Sequence, residues 1–214
     1  MMWSEQTWKL AEPIYDGILR HPFVRELANG TLSSERFLFY LQQDALYIDN
    51  YCRVLAHIAS RLKAKDDIDA FLRFASEGIM VEHALHESFL CGIDMNNVSP
   101  TPACMLYTSF ETAQGLGPVE IEAAAILPCF WIYQKVGEHI LDSCSPGNPY
   151  IKWIATYGDK SFAEATDRAI AICNRLAGST TSEIRAQMTQ AFISAARMEW
   201  MFWDSAYNLE QWKI

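Results

Sequence analysis

Cys129 stands inside an apolar run, Leu127-Pro128-Cys129-Phe130-Trp131-Ile132-Tyr133, with a phenol one turn later at Tyr133. On one helix face the two groups could offer a nucleophile and a hydrogen-bonding wall to the same ligand. Cysteine also packs as a small hydrophobe, so residue type alone leaves both roles open. Asp44, Tyr47 and Tyr51 lie at i, i+3 and i+7 on a face that also carries Phe37, Tyr40 and Val54. That company points Asp44 inward, where a carboxylate must find partners or take up a proton; a shoulder position, hydrogen-bonded to a tyrosine hydroxyl, is equally open. Glu199 sits among Met198, Trp200, Met201, Phe202 and Trp203. Buried there, its pKa would rise and suit it to donate a proton; facing water, it would be an ordinary helix-surface residue. Phe202 is placed to floor the same pocket, and Tyr207 follows Glu199 by two turns on the same face.

Metal chemistry has less support. His83 and His86 are three apart and Glu82 and His86 four apart, so they could share a helix face. Carboxylate-bridged metal bundles use Glu-x-x-His, and none of the five histidines has Glu three residues before it. No metal site is expected.

The elements that must position these groups are helical throughout. Apolar residues recur at helical spacing, strand alternation is absent, and an all-α chain follows. A first helix is predicted from Ser4 to Ala28, stopped by Asn29-Gly30. A second opens after Ser33 and reaches Leu62; a third runs from Asp66 or Asp67 to Cys91-Gly92. The fourth covers Pro102 to Gln114. The fifth starts with Pro118 at its first position, carries Glu120 and Glu122 in its first turn, and reaches Cys144. Within it Pro128 costs about 3 kcal/mol or a kink, and a kink could turn Cys129 toward a cavity. Asn148-Pro149 opens a short helix to Tyr157, followed by one from Ser161 to Ala177 with Gly178 as its stop. The last begins at a capping box, Thr180-x-x-Glu183, and runs to Trp212. No repeat, linker or low-complexity stretch divides the chain, so residues 1–214 form one expected domain. Several long helices leave apolar flanks that oligomerisation would cover.

Composition narrows the function classes. The 214 residues are 50% hydrophobic and 13% aromatic, which excludes a disordered chain. A net charge of −9 with dispersed Lys and Arg excludes a nucleic-acid surface. No export signal opens the sequence and no apolar run approaches the ~20 residues that span a bilayer, so a soluble, cytoplasmic protein without membrane contact is expected. Cysteines 52, 91, 104, 129, 144 and 173 show no CxxC pair and are expected to be reduced.

Four motifs in order, Tyr40-Leu41-Gln42-Gln43-Asp44-x-x-Tyr47, Leu127-Pro128-Cys129-x-Trp131-x-Tyr133, Tyr157-Gly158 and Glu199-x-x-Phe202-Trp203-Asp204-x-Ala206-Tyr207, resemble the TenA family, also called thiaminase II or aminopyrimidine aminohydrolase. They span nearly the whole chain, and Cys129 places it with the cysteine-containing branch. The resemblance implies a haem-oxygenase-like helical bundle, a homotetramer and a role in thiamin salvage. It implies hydrolysis of 4-amino-5-aminomethyl-2-methylpyrimidine to the hydroxymethyl compound, and cleavage of thiamin to the same pyrimidine and a thiazole. By the same resemblance Cys129 is the nucleophile, Glu199 the proton donor and Asp44 the carboxylate that orients the substrate and aids the thiol. Tyr133 and Tyr157 bind the pyrimidine, and Tyr47, Tyr107 and Phe202 are further walls.

The chemistry suits those residue types. A thiolate adding to the ring carbon next to the exocyclic methylene breaks the aromaticity and lets the amine or thiazole leave. Protonation of a ring nitrogen by Glu199 makes the ring accept that electron pair. A carboxylate near a thiol raises the thiol's pKa, so the help Asp44 gives Cys129 must be acceptance of its proton. No cofactor is required. Two rivals remain: a haem oxygenase or quinone-cofactor synthase on the same fold, with His21 as the haem ligand, and a non-enzymatic pyrimidine-binding or regulatory protein. The first offers no basic cluster for propionates and no use for Cys129; the second predicts binding without turnover.

Overall fold

The computed structural model describes residues 1–90, 94–145 and 147–214, with the backbone alone at 81–83 and 85–88. Among the described residues the chain forms helices and no strand: α1 Trp3–Leu19, α2 Pro22–Asn29, α3 Ser34–Arg61, α4 Lys65–Phe89, α5 Pro102–Gln114, α6 Val119–Ser143, α7 Ile151–Tyr157, α8 Lys160–Ser179 and α9 Ser182–Tyr207. One short 3-10 turn, Met95–Asn97, precedes α5. No described helix is long and apolar enough to cross a membrane.

Helix α6 is the axis of the bundle, touching α3, α5, α7, α8 and α9. Its central stretch is almost wholly buried, with Ala123, Ala124, Ala125, Ile126 and Leu127 at 0% exposure. Small residues there let neighbouring helices approach closely. Gly137 shows this best: a Cβ there would lie 2.6 Å from the Tyr157 carbonyl carbon, so α7 ends directly against α6. Pro128 does not end the helix. It withholds the hydrogen bond that an α-helix would place on the Ala124 carbonyl. On either side of that gap neighbouring helices donate to α6: Tyr51 Oη to the Ile126 carbonyl at 2.9 Å and Cys173 Sγ to the Ala123 carbonyl at 3.5 Å.

Side-chain caps set most boundaries where the sequence placed them. Ser33 accepts from Arg36 N and Thr101 from Cys104 N, opening α3 and α5 as expected. Other boundaries are corrected. The predicted first helix is two, because Pro22 holds His21 extended (ψ 135°), and His21 then caps α2 by accepting from Phe23 N. Pro118 is itself extended (ψ 140°) and lies just before α6 rather than in its first turn. Asn148 does not cap a helix at Pro149: its amide donates to the Leu27 and Ala28 carbonyls and its oxygen accepts from Tyr150 N, so α7 begins at Ile151. Gly178 lies inside α8, which runs on to Ser179, and Thr181 rather than Thr180 caps α9 by accepting from Ile184 N. Helix α9 stops at Tyr207, since Leu209 takes φ 50° and leaves the helical region.

Cys52, Cys104, Cys129, Cys144 and Cys173 are thiols. The predicted stop at Cys91-Gly92, and the side chains of Glu82, His83 and His86, lie outside the described residues.

Candidate active site

Helices α3, α5, α6 and α9 bring together residues far apart in sequence, and α7 closes one side. A cavity of about 1,210 Å³ runs inward between α4 and α8 and reaches Asp44, Cys129, Tyr133 and Tyr157. Behind them, fully buried, stand Tyr47, Tyr107, Phe202 and Glu199. All eight residues singled out by sequence therefore fall in one region, four on the cavity wall and four in the layer beneath it.

The wall is aromatic because each helix places a large ring at the same depth. Tyr133 lies 5.0 Å from Tyr157 between ring centroids, and Tyr47 lies 4.8 Å from Tyr107 and 5.8 Å from Phe202. Tyr40 Oη donates to Tyr133 Oη at 3.2 Å, fixing the phenol that faces the cavity. Tyr40 itself stacks on Trp203 at 5.1 Å with the planes 6° apart. These rings give the inner end of the cavity flat faces with hydroxyl tips, beside Asp44 and Cys129, which suits a planar heterocycle.

Electrostatically the region is unusual because carboxyl groups are buried here among aromatic rings. Glu199 is 1% exposed and accepts from Tyr107 Oη at 2.8 Å. Burial pushes its pKa up to about 8 despite that hydrogen bond, with Asp44 adding to the rise. At neutral pH most of the Glu199 population carries a proton. Burial also pushes the Cys129 thiol well above its ordinary value, and the Glu199 and Glu111 carboxylates add to it. A hydrogen bond with the Tyr47 hydroxyl works the other way, favouring the thiolate. Asp44 is inward-facing and buried, as one of its two predicted placements required. The Tyr133 and Tyr157 hydroxyls are held neutral, first by burial and then by nearby acidic groups.

Sequence reasoning missed Glu111 and misplaced Tyr207. Glu111 is 0% exposed and accepts from Tyr47 Oη at 2.9 Å. It lies one turn beyond Tyr107 on α5, so the i, i+4 rule applied to that helix would have found it. Tyr207 lies outside the site: its hydroxyl donates to Glu26 Oε1 at 2.8 Å and its ring sits under the Arg36 guanidinium at 3.8 Å. Eight residues along a helix rotate about 80° away from the starting direction, enough to leave the face that carries Glu199. The proposed haem ligand, His21, has both ring nitrogens engaged, Nδ1 by Phe23 N and Nε2 by Asp204 Oδ1 at 3.3 Å. Among the described residues no cluster of three or more His, Cys, Asp or Glu could hold a metal ion.

Comparison with known proteins places these residues in context. Residues 8–209 match the model of the TENA/THI-4/PQQC family. The aminopyrimidine aminohydrolase of Bacillus subtilis (strain 168) is 33% identical, over 99% of this chain and 92% of its own. Among solved structures, a TenA homologue from P. horikoshii OT3 superposes with a TM-score of 0.86 at 26% identity, over 97% of this chain and 99% of that one. A domain of unknown function from Shewanella denitrificans OS217, described as having a heme oxygenase-like fold, superposes with a TM-score of 0.71 at 14% identity, over 96% of this chain and 92% of that one. The fold is the haem-oxygenase-like helical bundle expected from the sequence.

Proposed function

This chain belongs to the TENA/THI-4/PQQC family, and from that premise we propose that it is an aminopyrimidine aminohydrolase of thiamin salvage. It converts 4-amino-5-aminomethyl-2-methylpyrimidine to the hydroxymethyl pyrimidine with release of ammonia, and cleaves thiamin to the same pyrimidine and a thiazole. One arrangement supports this most directly: the Cys129 thiol opens onto the inner end of an aromatic cavity, and its strongest charged neighbour is a Glu199 carboxyl that is mostly protonated at neutral pH. A nucleophile and an acid in one buried cluster suit addition to an electron-poor heterocycle.

Each residue then has a task. Asp44 on the cavity wall accepts hydrogen bonds from the exocyclic amino edge and sets the ring's orientation. Tyr133 and Tyr157 cover the ring face and keep water away. Glu199 protonates a ring nitrogen as the Cys129 sulfur bonds to the ring carbon beside the methylene. The ring then expels ammonia or thiazole from that methylene, water adds there, and the thiol departs as aromaticity returns. Tyr47, Tyr107 and Phe202 hold the layer beneath. The same family premise supports a cytoplasmic homotetramer of one domain. Exposed Leu72, Ile79 and Met80 on α4 and Met105 and Leu106 on α5 are surfaces that assembly would cover.

The test is a side-by-side assay of thiamin and the aminomethylpyrimidine, following ammonia and the pyrimidine alcohol. Cys129→Ser is expected to abolish both reactions while the protein stays folded and still binds the pyrimidine. Turnover by the serine variant would remove Cys129 as nucleophile. Binding without turnover by the unaltered protein would favour a pyrimidine-binding regulatory protein instead.

A further inference from the structure

The chemistry just described uses only the inner end of the cavity, yet its volume of about 1,210 Å³ extends well past the groups that a pyrimidine would touch. Part of the remaining wall is made by Phe74 from α4, Phe130 from α6 and Phe162 from α8. The three rings form one belt: Phe74 lies 5.1 Å from Phe130 between centroids, and Phe130 lies 6.2 Å from Phe162 with the planes 25° apart. Phe162 also meets Tyr157 edge to face at 5.4 Å, which joins the belt to the inner wall. Helices α4 and α8 flank the entrance, so a group that projects toward the opening from a pyrimidine held at Cys129 passes these rings.

A phenylalanine side chain has neither donor nor acceptor, so this belt cannot replace the water that an ammonium group gives up on entering. A flat ring with a delocalised charge and no N–H loses less by leaving water, and the negative faces of aromatic rings attract it. Leaving-group chemistry points the same way. When the bond from the methylene to an azolium nitrogen breaks, its electron pair stays on that nitrogen and the ring departs neutral, with no proton required. An amine departs as ammonia only if its nitrogen carries or receives a proton, and these three rings have none to give. The mouth beyond them mixes signs, with Asp66, Glu77 and Glu164 against Lys152 and Arg168, so charge there does not choose the ligand.

We propose that Phe74, Phe130 and Phe162 form a leaving-group subsite for flat aromatic cations. Pyrimidines joined through the methylene to an azolium or pyridinium nitrogen are then the preferred substrate class, and the free aminomethylpyrimidine is the poorer one. The three rings decide specificity without taking part in bond making: they cover the departing ring and leave the pyrimidine to Asp44, Tyr133 and Tyr157. The preference in turnover rests on the aminohydrolase proposal; the subsite, as a matter of binding, does not.

That separation gives the experiment. In steady-state assays of the unaltered protein, kcat/KM for thiamin is expected to exceed that for the aminomethylpyrimidine by about tenfold or more, and parity or the reverse order overturns the preference. Phe162 is only half-buried and is the ring most safely removed. Phe162→Ala should lower kcat/KM for thiamin about tenfold and leave the aminomethylpyrimidine within about twofold. A general disturbance of the site would move both substrates together, so equal losses, or none, overturn the proposal. Phe162→Leu keeps apolar bulk and removes the ring face; it should recover only part of the thiamin rate, and full recovery overturns the claim that the belt reads a cation. If Phe162→Ala does not fold, Phe74→Leu carries the comparison from α4, and an unchanged ratio between the two substrates overturns the proposal. Titration calorimetry in a Cys129→Ser background needs no turnover. Loss of thiamin affinity alone on adding Phe162→Ala, in a protein whose parent turns over neither compound, would keep the subsite and remove the aminohydrolase proposal; equal loss for both ligands would remove the subsite.

Discussion

Two places in this molecule take a glutamate out of water, and they solve the problem in opposite ways. Glu122, at the start of α6, is 1% exposed and is met by the Arg61 guanidinium and by His57 Nδ1 at 2.6 Å. Arg61 also donates to the Gly115 and Gly117 carbonyls, so the cluster staples the α5–α6 turn to the end of α3. Glu199 is equally buried and is met by a phenol, and among the described residues it forms no ion pair. Compensated by a guanidinium, a buried carboxylate becomes a fastening. Denied a cation, it becomes an acid, because the cheapest way to bury it is with its proton.

The most severe test of this contrast is a pair of isosteric variants. Glu199→Gln should lose about 10²–10⁴-fold in turnover with little loss of pyrimidine affinity, and Glu122→Gln should leave turnover near that of the parent. Steady-state kinetics on both would break the contrast if the losses came out alike. Arg61→Met probes the other half: it leaves Glu122 buried with only His57 and should cost about 3–5 kcal/mol in denaturant unfolding, with kcat retained by the folded fraction.

Stability against pH comes next. Glu199 has a folded pKa of about 8, above the ordinary 4.5, and Glu111 is shifted the same way. Between the ordinary and the folded value the folded state holds more of these protons than the unfolded one, so what these two groups contribute to stability is fully present below about pH 4.5 and is lost as pH rises toward 8. Glu199→Gln should flatten part of that fall in urea titrations at pH 5 and pH 8. Gly137→Ala, which puts a methyl into the Tyr157 backbone, should cost about 1–3 kcal/mol and raise KM by moving a cavity wall. Arg73→Ala gives the smallest effect. Its partner Asp69 and Arg73 itself are both largely exposed at the cavity mouth, and losing the pair should change stability by less than about 1 kcal/mol.

The contrast also explains what could be seen in the sequence. Helical period, the Ser33 signal and Pro102 located α3 and α5 closely, since these signals act within a turn or two. The break at His21-Pro22 was a local proline signal passed over, whereas Asn148 was misjudged because its amide goes to the Leu27 and Ala28 carbonyls, which only the packed fold brings near. The same division runs through the site. Cys129, Asp44 and Glu199 were legible as polar groups in apolar company and through family motifs. Glu111 was passed over: it shares a helix face with Tyr107 one turn away, but no family motif includes it and its neighbours Phe110 and Thr112 read as an ordinary amphipathic stretch. Whether Glu122 had a cation was likewise beyond local pattern: Arg61 lies 61 residues away in the chain.

The gap that Pro128 leaves in α6 bears on how this helix opens. A proline in mid-helix is where local fraying would be expected to begin, and one amide is missing from any exchange record. Here α3 and α8 hold the carbonyls on either side through Tyr51 and Cys173. The segment carrying the nucleophile therefore should not breathe alone. Amides from Leu127 to Trp131, Pro128 aside, should exchange with solvent deuterium only as fast as α3 and α8 come away, placing the gap in the helix's hydrogen-bond ladder among its slowest-exchanging residues.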